Sequence, residues 1–157
     1  MIEEIKGQHQ GKCLKFCIVV ARFNQFVTSR LLRGALECLR LHNTEDEDIT
    51  IVWVPGSLEI GIVAKTLAVT GAYSSLICLG SVIRGQTKHY DVVVERTTCA
   101  ISKVSLETGV PIITGILTTD TARQALERAG GRRGNRGYDA AMAAMEMGNL
   151  LRTIRRK

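Results

Sequence analysis

Aromatic residues are scarce: three Phe, three Tyr and one Trp make up 4% of 157 residues, leaving no platform on which nucleic-acid bases could stack. Proline is scarcer still, at two, and 45% of the residues are hydrophobic against 23% charged, which excludes collagen-like and disordered chains and predicts a soluble globular protein. No apolar run is long enough to cross a bilayer; those around Ile18, Ile51, Ile77 and Ile112 are short and separated by charged residues. The opening MIEEIKGQHQGK lacks the basic then apolar regions of a secretory signal, and its paired acids are unlike a transit peptide, so the expected compartment is the cytoplasm. The five cysteines, at 13, 17, 38, 78 and 99, form no CxxC pair, and histidines 9, 42 and 89 are far apart. That spacing argues against a zinc site and predicts buried free thiols with no structural metal. Walker, GxGxxG and GxSxG motifs are also missing, as is a cysteine with a base beside it, so nucleotide binding and covalent catalysis have no support.

What is present in excess is positive charge. The net charge is +6, half of it in the terminal Arg155, Arg156 and Lys157. A second cluster, Arg128, Arg132, Arg133 and Arg136, falls in a glycine-rich turn, where arginines suit a phosphorylated small molecule as well as a polymer.

Apolar β-branched runs alternate with amphipathic stretches, the pattern of βαβ units around a parallel sheet. Strands are expected at Leu14 to Ala21, Ile49 to Val54, Ser75 to Ile83 and Pro111 to Leu117. The first helix, about Asn24 to His42, carries Leu31, Leu32, Ala35, Leu36 and Leu39 on one stripe and Arg30, Arg33 and Glu37 on the wet face. A second helix, capped by Ser57, is expected to run to about Thr70 before Gly71 ends it. The third spans about His89 to Thr108; a short fourth, capped from Thr118-Thr119-Asp120, stops at Gly130-Gly131; the last covers about Asn135 to Ile154. No repeat or linker interrupts the chain. The reading is one domain over residues 1–157, with residues 1–12 a flexible arm, folded as a three-layer α/β/α sandwich on a four-stranded parallel sheet.

In such sheets ligands bind beyond the carboxyl ends of the strands. Those ends are ARFN, VPGSLE, VIRGQTKHYD and ITGILTTD. In the third, amides of Gly85, Gln86 and Thr87 at a helix start can cradle an anion, and His89 can move a proton near neutral pH. An ordinary capped helix with a surface histidine fits the same pattern equally well. Glu59 suits a helix dipole or substrate hydroxyls, and Phe23 suits a rim position or a stack on a planar ring. Arg128 can neutralise helix carbonyls or bind phosphate, and Arg136 is equally open.

The strings VVARFN, VWVPGSLEI, CLGSVIRGQTKHYD, SLETGVP, GILTTD and RAGGRRGNRG, in this order, resemble lumazine synthases across nearly the whole chain. The resemblance implies a flavodoxin-like fold and a transferase of riboflavin biosynthesis. Its penultimate-step reaction condenses 5-amino-6-ribitylamino-pyrimidinedione with 3,4-dihydroxy-2-butanone 4-phosphate to 6,7-dimethyl-8-ribityllumazine, releasing phosphate and water without metal or organic cofactor. By that likeness Phe23 stacks on the pyrimidine, Asn24, Ser57 and Glu59 hold the ribityl chain, and the backbone at Ser81, Val82 and Ile83 reads the ring edge. Gly85, Gln86 and Thr87 take the phosphate with Arg128, which like Arg136 comes from a neighbouring subunit, and His89 is the general acid and base.

Leu58 and Thr114 stand where the family usually has aromatic residues, which thins the pocket's apolar lining; Gly61 replaces a common proline, and Arg132 and Arg136 replace lysines. The likeness implies a homo-pentamer, and the short GGRRGNRG turn favours a 60-subunit icosahedral shell. Leu58 and Thr114 also raise a second reading, a catalytically weakened shell-forming or lumazine-binding relative. A nucleic-acid-binding module using Arg132, Arg133 and the RRK tail is the third. The balance of these readings favours small-molecule substrates and expects neither nucleic acid nor membrane as a partner.

Overall fold

In the first strand, β1 (Phe16–Ala21), six consecutive apolar residues are buried without the alternation of a half-exposed strand, because both faces of the sheet are covered. A computed structural model describes residues 1–86 and 88–157. β1 lies between β2 (Ile49–Val54) and β3 (Ser75–Ile83), and β4 (Ile112–Thr119) completes a four-stranded sheet in the order β2-β1-β3-β4, parallel throughout.

Side-chain alternation then sorts the core into two layers. Phe16, Ile18 and Val20 point toward α1 (Gln25–Leu41) and α5 (Arg136–Arg155), whereas Cys17, Val19 and Ala21 point toward α2 (Ile60–Ala68) and α3 (His89–Thr108). The short α4 (Ala122–Glu127) adds Ala125 to the first layer. This is the three-layer α/β/α, flavodoxin-like architecture. On α1 the buried stripe runs through Leu31, Ala35 and Leu39 as expected, with Leu32 and Leu36 half-buried, and Arg30, Arg33 and Glu37 face solvent.

β2, β3 and α3 begin and end where the sequence places them. β1 starts two residues later than expected, and β4 runs two residues further, because its pairing with β3 continues to Ile83 and Thr119. Thr118 and Thr119 are therefore strand, and Thr121 caps α4, accepting from Gln124 N at 3.1 Å while Gln124 Oε1 accepts from Thr121 N at 3.2 Å. Ser57 is buried in a 3-10 turn, Ser57–Glu59, and makes no side-chain cap; α2 ends at Ala68, before the expected Thr70. The glycine-rich turn is a small antiparallel hairpin, β5 (Ala129–Gly131) and β6 (Gly134–Asn135), which the sequence reading missed. Asn135 caps α5 through bonds from Gly137 N and Tyr138 N. Cys17, Cys38 and Cys78 are buried as predicted, but Cys13, at φ 67° ahead of β1, and Cys99, on the outer side of α3, are exposed.

Residues 1–12 run against α5, where buried Asn149 donates to the carbonyls of Gln8 and Gln10, each at 2.8 Å, and His9 meets Glu146 at 3.2 Å. The basic tail is used within the chain too: Arg155 donates to Gly109 O at the end of α3 at 2.6 Å, and Lys157 pairs with Glu3. Among the described residues no helix is long and apolar enough to cross a membrane.

Candidate active site

Three of the four predicted strand ends converge. Beyond β1, Arg22 N donates to Val54 O at 2.7 Å and Phe23 N to Pro55 O at 3.0 Å, so the β1–β2 pairing continues into the loop and carries Phe23 to the rim, 71% exposed. Asn24 then turns the chain into α1 with a left-handed backbone (φ 59°), a conformation asparagine tolerates better than most residues. Its Nδ2 donates to Ser81 O at 2.8 Å, fastening the end of β1 to the end of β3.

After β2, Pro55-Gly56 breaks the strand and the 3-10 turn brings Ser57 inward and leaves Leu58 44% exposed. Ser57 fits only because β3 has a glycine opposite: a Cβ on Gly80 would lie 2.7 Å from Ser57 Oγ. Glu59 sits at the start of α2, where the helix dipole favours its charge. Gly61 is required by a close approach and not by unusual backbone angles, since a Cβ there would meet the Cβ of Ala100 at 2.8 Å.

Phe23, Ser57, Leu58 and Glu59 line one cavity of about 440 Å³ with Ser81, Val82, Ile83, Gly85 and His89, whereas Asn24 stands behind it, bonded to Ser81 O. Phe23, Leu58 and Val93 supply its apolar wall; Ser57, Glu59 and His89 supply polar groups. Among the described residues nothing lies within 4 Å of the Cβ position of Gly85, which leaves room there for a ligand. His89 is the first residue of α3, at the positive end of the helix dipole. Gln86 is exposed beside this cavity without lining it, and Thr87 lies outside the described residues. Tyr90, Pro55 and Val93 also line it and were not singled out from sequence; the place of Tyr90 directly after His89 was the available signal.

The predicted cations lie elsewhere in the chain. A second cavity, also about 440 Å³, opens beside the end of β4 and the start of α5 and is lined by Arg128, Arg133 and Arg136 of the basic cluster and, unforeseen, Asp139. The hairpin aims these arginines, with Arg133 N donating to Glu127 O and Arg136 N to Arg128 O, both at 2.8 Å. Arg128 also serves the structural role its position suggested, donating from Nη1 to Gln124 O at 3.1 Å. Among the described residues the two cavities share no lining residue. Thr114 lines neither; it is exposed on β4, and its Oγ1 accepts from Ile116 N at 3.3 Å.

Of the buried thiols, burial pushes Cys17 up to about 11 and Cys78 to about 12, so both are protonated at neutral pH and unsuited to nucleophilic attack. Among the described residues no three His, Cys, Asp or Glu side chains are grouped to hold a metal ion.

The family model for 6,7-dimethyl-8-ribityllumazine synthase matches residues 13–152. The 6,7-dimethyl-8-ribityllumazine synthases of two strains of Clostridium kluyveri are each 50% identical over 149 residues, covering 95% of this chain and 97% of theirs.

Proposed function

Because the chain belongs to the 6,7-dimethyl-8-ribityllumazine synthase family, we propose that it is a transferase that joins 5-amino-6-ribitylamino-pyrimidinedione to 3,4-dihydroxy-2-butanone 4-phosphate. The product is 6,7-dimethyl-8-ribityllumazine, with release of phosphate and water, the penultimate step of riboflavin biosynthesis. The observation that carries this reading is the convergence of Phe23, Ser57, Glu59, Val82 and His89 on one cavity at three strand ends.

The residue types suit the chemistry. Amine attack on a ketone, phosphate elimination and ring closure need proton transfers and close approach, and no strong protein nucleophile. Holding two reactants in contact removes a large entropic barrier. His89 moves protons at a cavity wall, a contribution of about 10²- to 10⁴-fold in comparable sites. Phe23 and Leu58 cover the planar ring, Ser57 and Glu59 take ribityl hydroxyls, with Asn24 beside them, and the strand backbone at Ser81, Val82 and Ile83 reads the ring edge. The turn of Gly85, Gln86 and Thr87 receives the phosphate. No metal or organic cofactor enters these steps.

Arg128 and Arg136 act on the cavity of a neighbouring subunit, with Thr114 near the same junction. Two observations support this: the arginines and His89 lie in separate cavities of one chain, and Phe23, Leu58, Ile51 and Trp53 expose apolar surface at and beside the first of them. The assembly is a homo-pentamer, extended to an icosahedral shell of 60 subunits, in the cytoplasm. The whole chain acts as a single catalytic domain. A weakened, carrier-like relative is not favoured, because Leu58 still contributes apolar lining.

The test is the rise of lumazine absorbance when purified protein meets both substrates, read with phosphate release. Product well above the uncatalysed background is expected, and Arg128→Ala should mainly impair use of the phosphate substrate. Folded, assembled protein giving no product would overturn the reading.

A further inference from the structure

The strand-end turn that carries Gly85 is held by a residue that lines neither cavity. Arg84 N donates to Thr119 O at 2.8 Å, extending the β3–β4 pairing by one step. Its side chain then turns across the loop: Cζ lies 4.5 Å from the centroid of the Tyr90 ring, and Nε donates to Asp120 Oδ1 at 2.8 Å. The first contact joins the two ends of the segment 85–89. The second joins that segment to the approach to α4.

The contacts continue. Asp120 N donates to Gln124 Oε1 at 2.9 Å, and the carbonyl of Gln124 accepts from Arg128 Nη1 at 3.1 Å. A connected path therefore runs from the first turn of α3, which bears His89 and Tyr90, through Arg84 and Asp120 to Arg128. The end residues, His89 and Arg128, belong to different cavities. An isolated ion pair with side chains 52% and 65% exposed contributes little stability. This one differs in being stacked on an aromatic ring, with Arg84 N held by the Thr119 carbonyl and Asp120 N by the Gln124 side chain.

We propose that Arg84 is a positioning residue for the proposed reaction: it clasps segment 85–89 through Tyr90 and ties it to α4 through Asp120. The amides of Gly85 and Gln86 and the side chain of Arg128 thereby keep fixed orientations within one chain. The inference rests on the function proposed above. Its rival is that Arg84 binds the phosphate directly, and the two make opposite predictions for Asp120. Removing the charge of Asp120 loosens the clasp if Arg84 positions, but frees a guanidinium for the anion if Arg84 is a ligand.

The experiment uses the intact assembled protein and the variants Arg84→Met, Arg84→Lys and Asp120→Asn. It measures kcat, KM for each substrate, melting temperature, and binding of inorganic phosphate by calorimetry. Arg84→Met is expected to raise KM for the phosphate substrate and weaken inorganic phosphate about tenfold, with KM for the pyrimidine within about twofold, since small displacements at a site carry large kinetic costs. Asp120→Asn should move both phosphate quantities in the same direction. Arg84→Lys should recover part of the loss, because it restores the ion pair without the planar stack. Tighter phosphate binding in Asp120→Asn would overturn the positioning role. So would wild-type turnover with variants that only melt earlier. Wild-type protein that forms no product, yet whose phosphate binding responds to all three variants as expected, would overturn the enzymatic reading and support the clasp.

Discussion

At the scale of single residues, burial sets what a side chain can do. Cys17, Cys38 and Cys78 have no accessible surface, and their thiols are pushed from 9.0 to about 11, 12 and 12, chiefly by desolvation, with Asp139 and Glu37 adding to the effect at Cys38. The unfolded chain releases these protons at lower pH than the folded one. Their contribution to stability is therefore complete below about pH 9 and is lost as pH rises toward 11 to 12, at up to about 1.4 kcal/mol per pH unit for each thiol. Denaturant midpoints should fall between pH 8 and pH 10.5, and less steeply in Cys78→Ala; equal slopes would contradict this. The runs CIVV and LICLG made Cys17 and Cys78 legible as buried, whereas the exposure of Cys13 and Cys99 depends on a left-handed turn and a helix face that composition does not reveal. At His89 the expectation is kinetic: His89→Ala should slow turnover by about 10²- to 10⁴-fold while leaving measurable product, because proximity survives the loss of the proton carrier. Single-turnover absorbance checks it, and complete loss of product would mean that proton transfer outweighs proximity.

Between elements, two glycines mark opposite constraints. A Cβ on Gly137 would lie 2.0 Å from the carbonyl oxygen of Leu31, so α5 packs against α1 backbone to side-chain-free backbone. Gly137→Ala should force the helices apart and lower unfolding free energy by about 1–3 kcal/mol or more, measured by denaturant titration. Gly85, by contrast, has open space where its Cβ would be. Gly85→Ala should leave stability within about 0.5 kcal/mol of the parent and act instead on the KM of the phosphate substrate, which a ligand-approach role requires. The same contrast explains what was legible. Strand and helix periodicity marked β2, β3 and α3 to the residue, and the rule that ligands bind beyond strand ends singled out Gly85 and His89. The α4 cap and the β5–β6 hairpin were not legible, because the end of β4 is decided by its pairing with β3 and the hairpin by packing around Gly130 and Gly134 at positive φ. Nor was the Arg84–Asp120 pair, whose partners are 36 residues apart and meet only once β3 and β4 lie side by side.

For the whole molecule, the proposed reaction draws on residues that lie in two separate cavities of one chain. His89 stands at the β3–α3 junction and Arg128 beyond β4, and in one chain they line different walls. If each cavity of the first kind is completed by the arginines of a neighbour, every subunit gives half of two sites. Hybrid assemblies then make a quantitative prediction. His89→Ala and Arg128→Ala subunits, each impaired alone, are unfolded together and reassembled in equal amounts. Random mixing leaves an intact His89 facing an intact Arg128 at about a quarter of the junctions in a cyclic assembly, so about a quarter of wild-type activity should return. Were both residues used within one chain, no junction would hold an intact pair and the mixture would show only the average of its parents. Reassembly at unequal ratios sharpens the test, because recovered activity must follow the product of the two subunit fractions and peak at equal amounts.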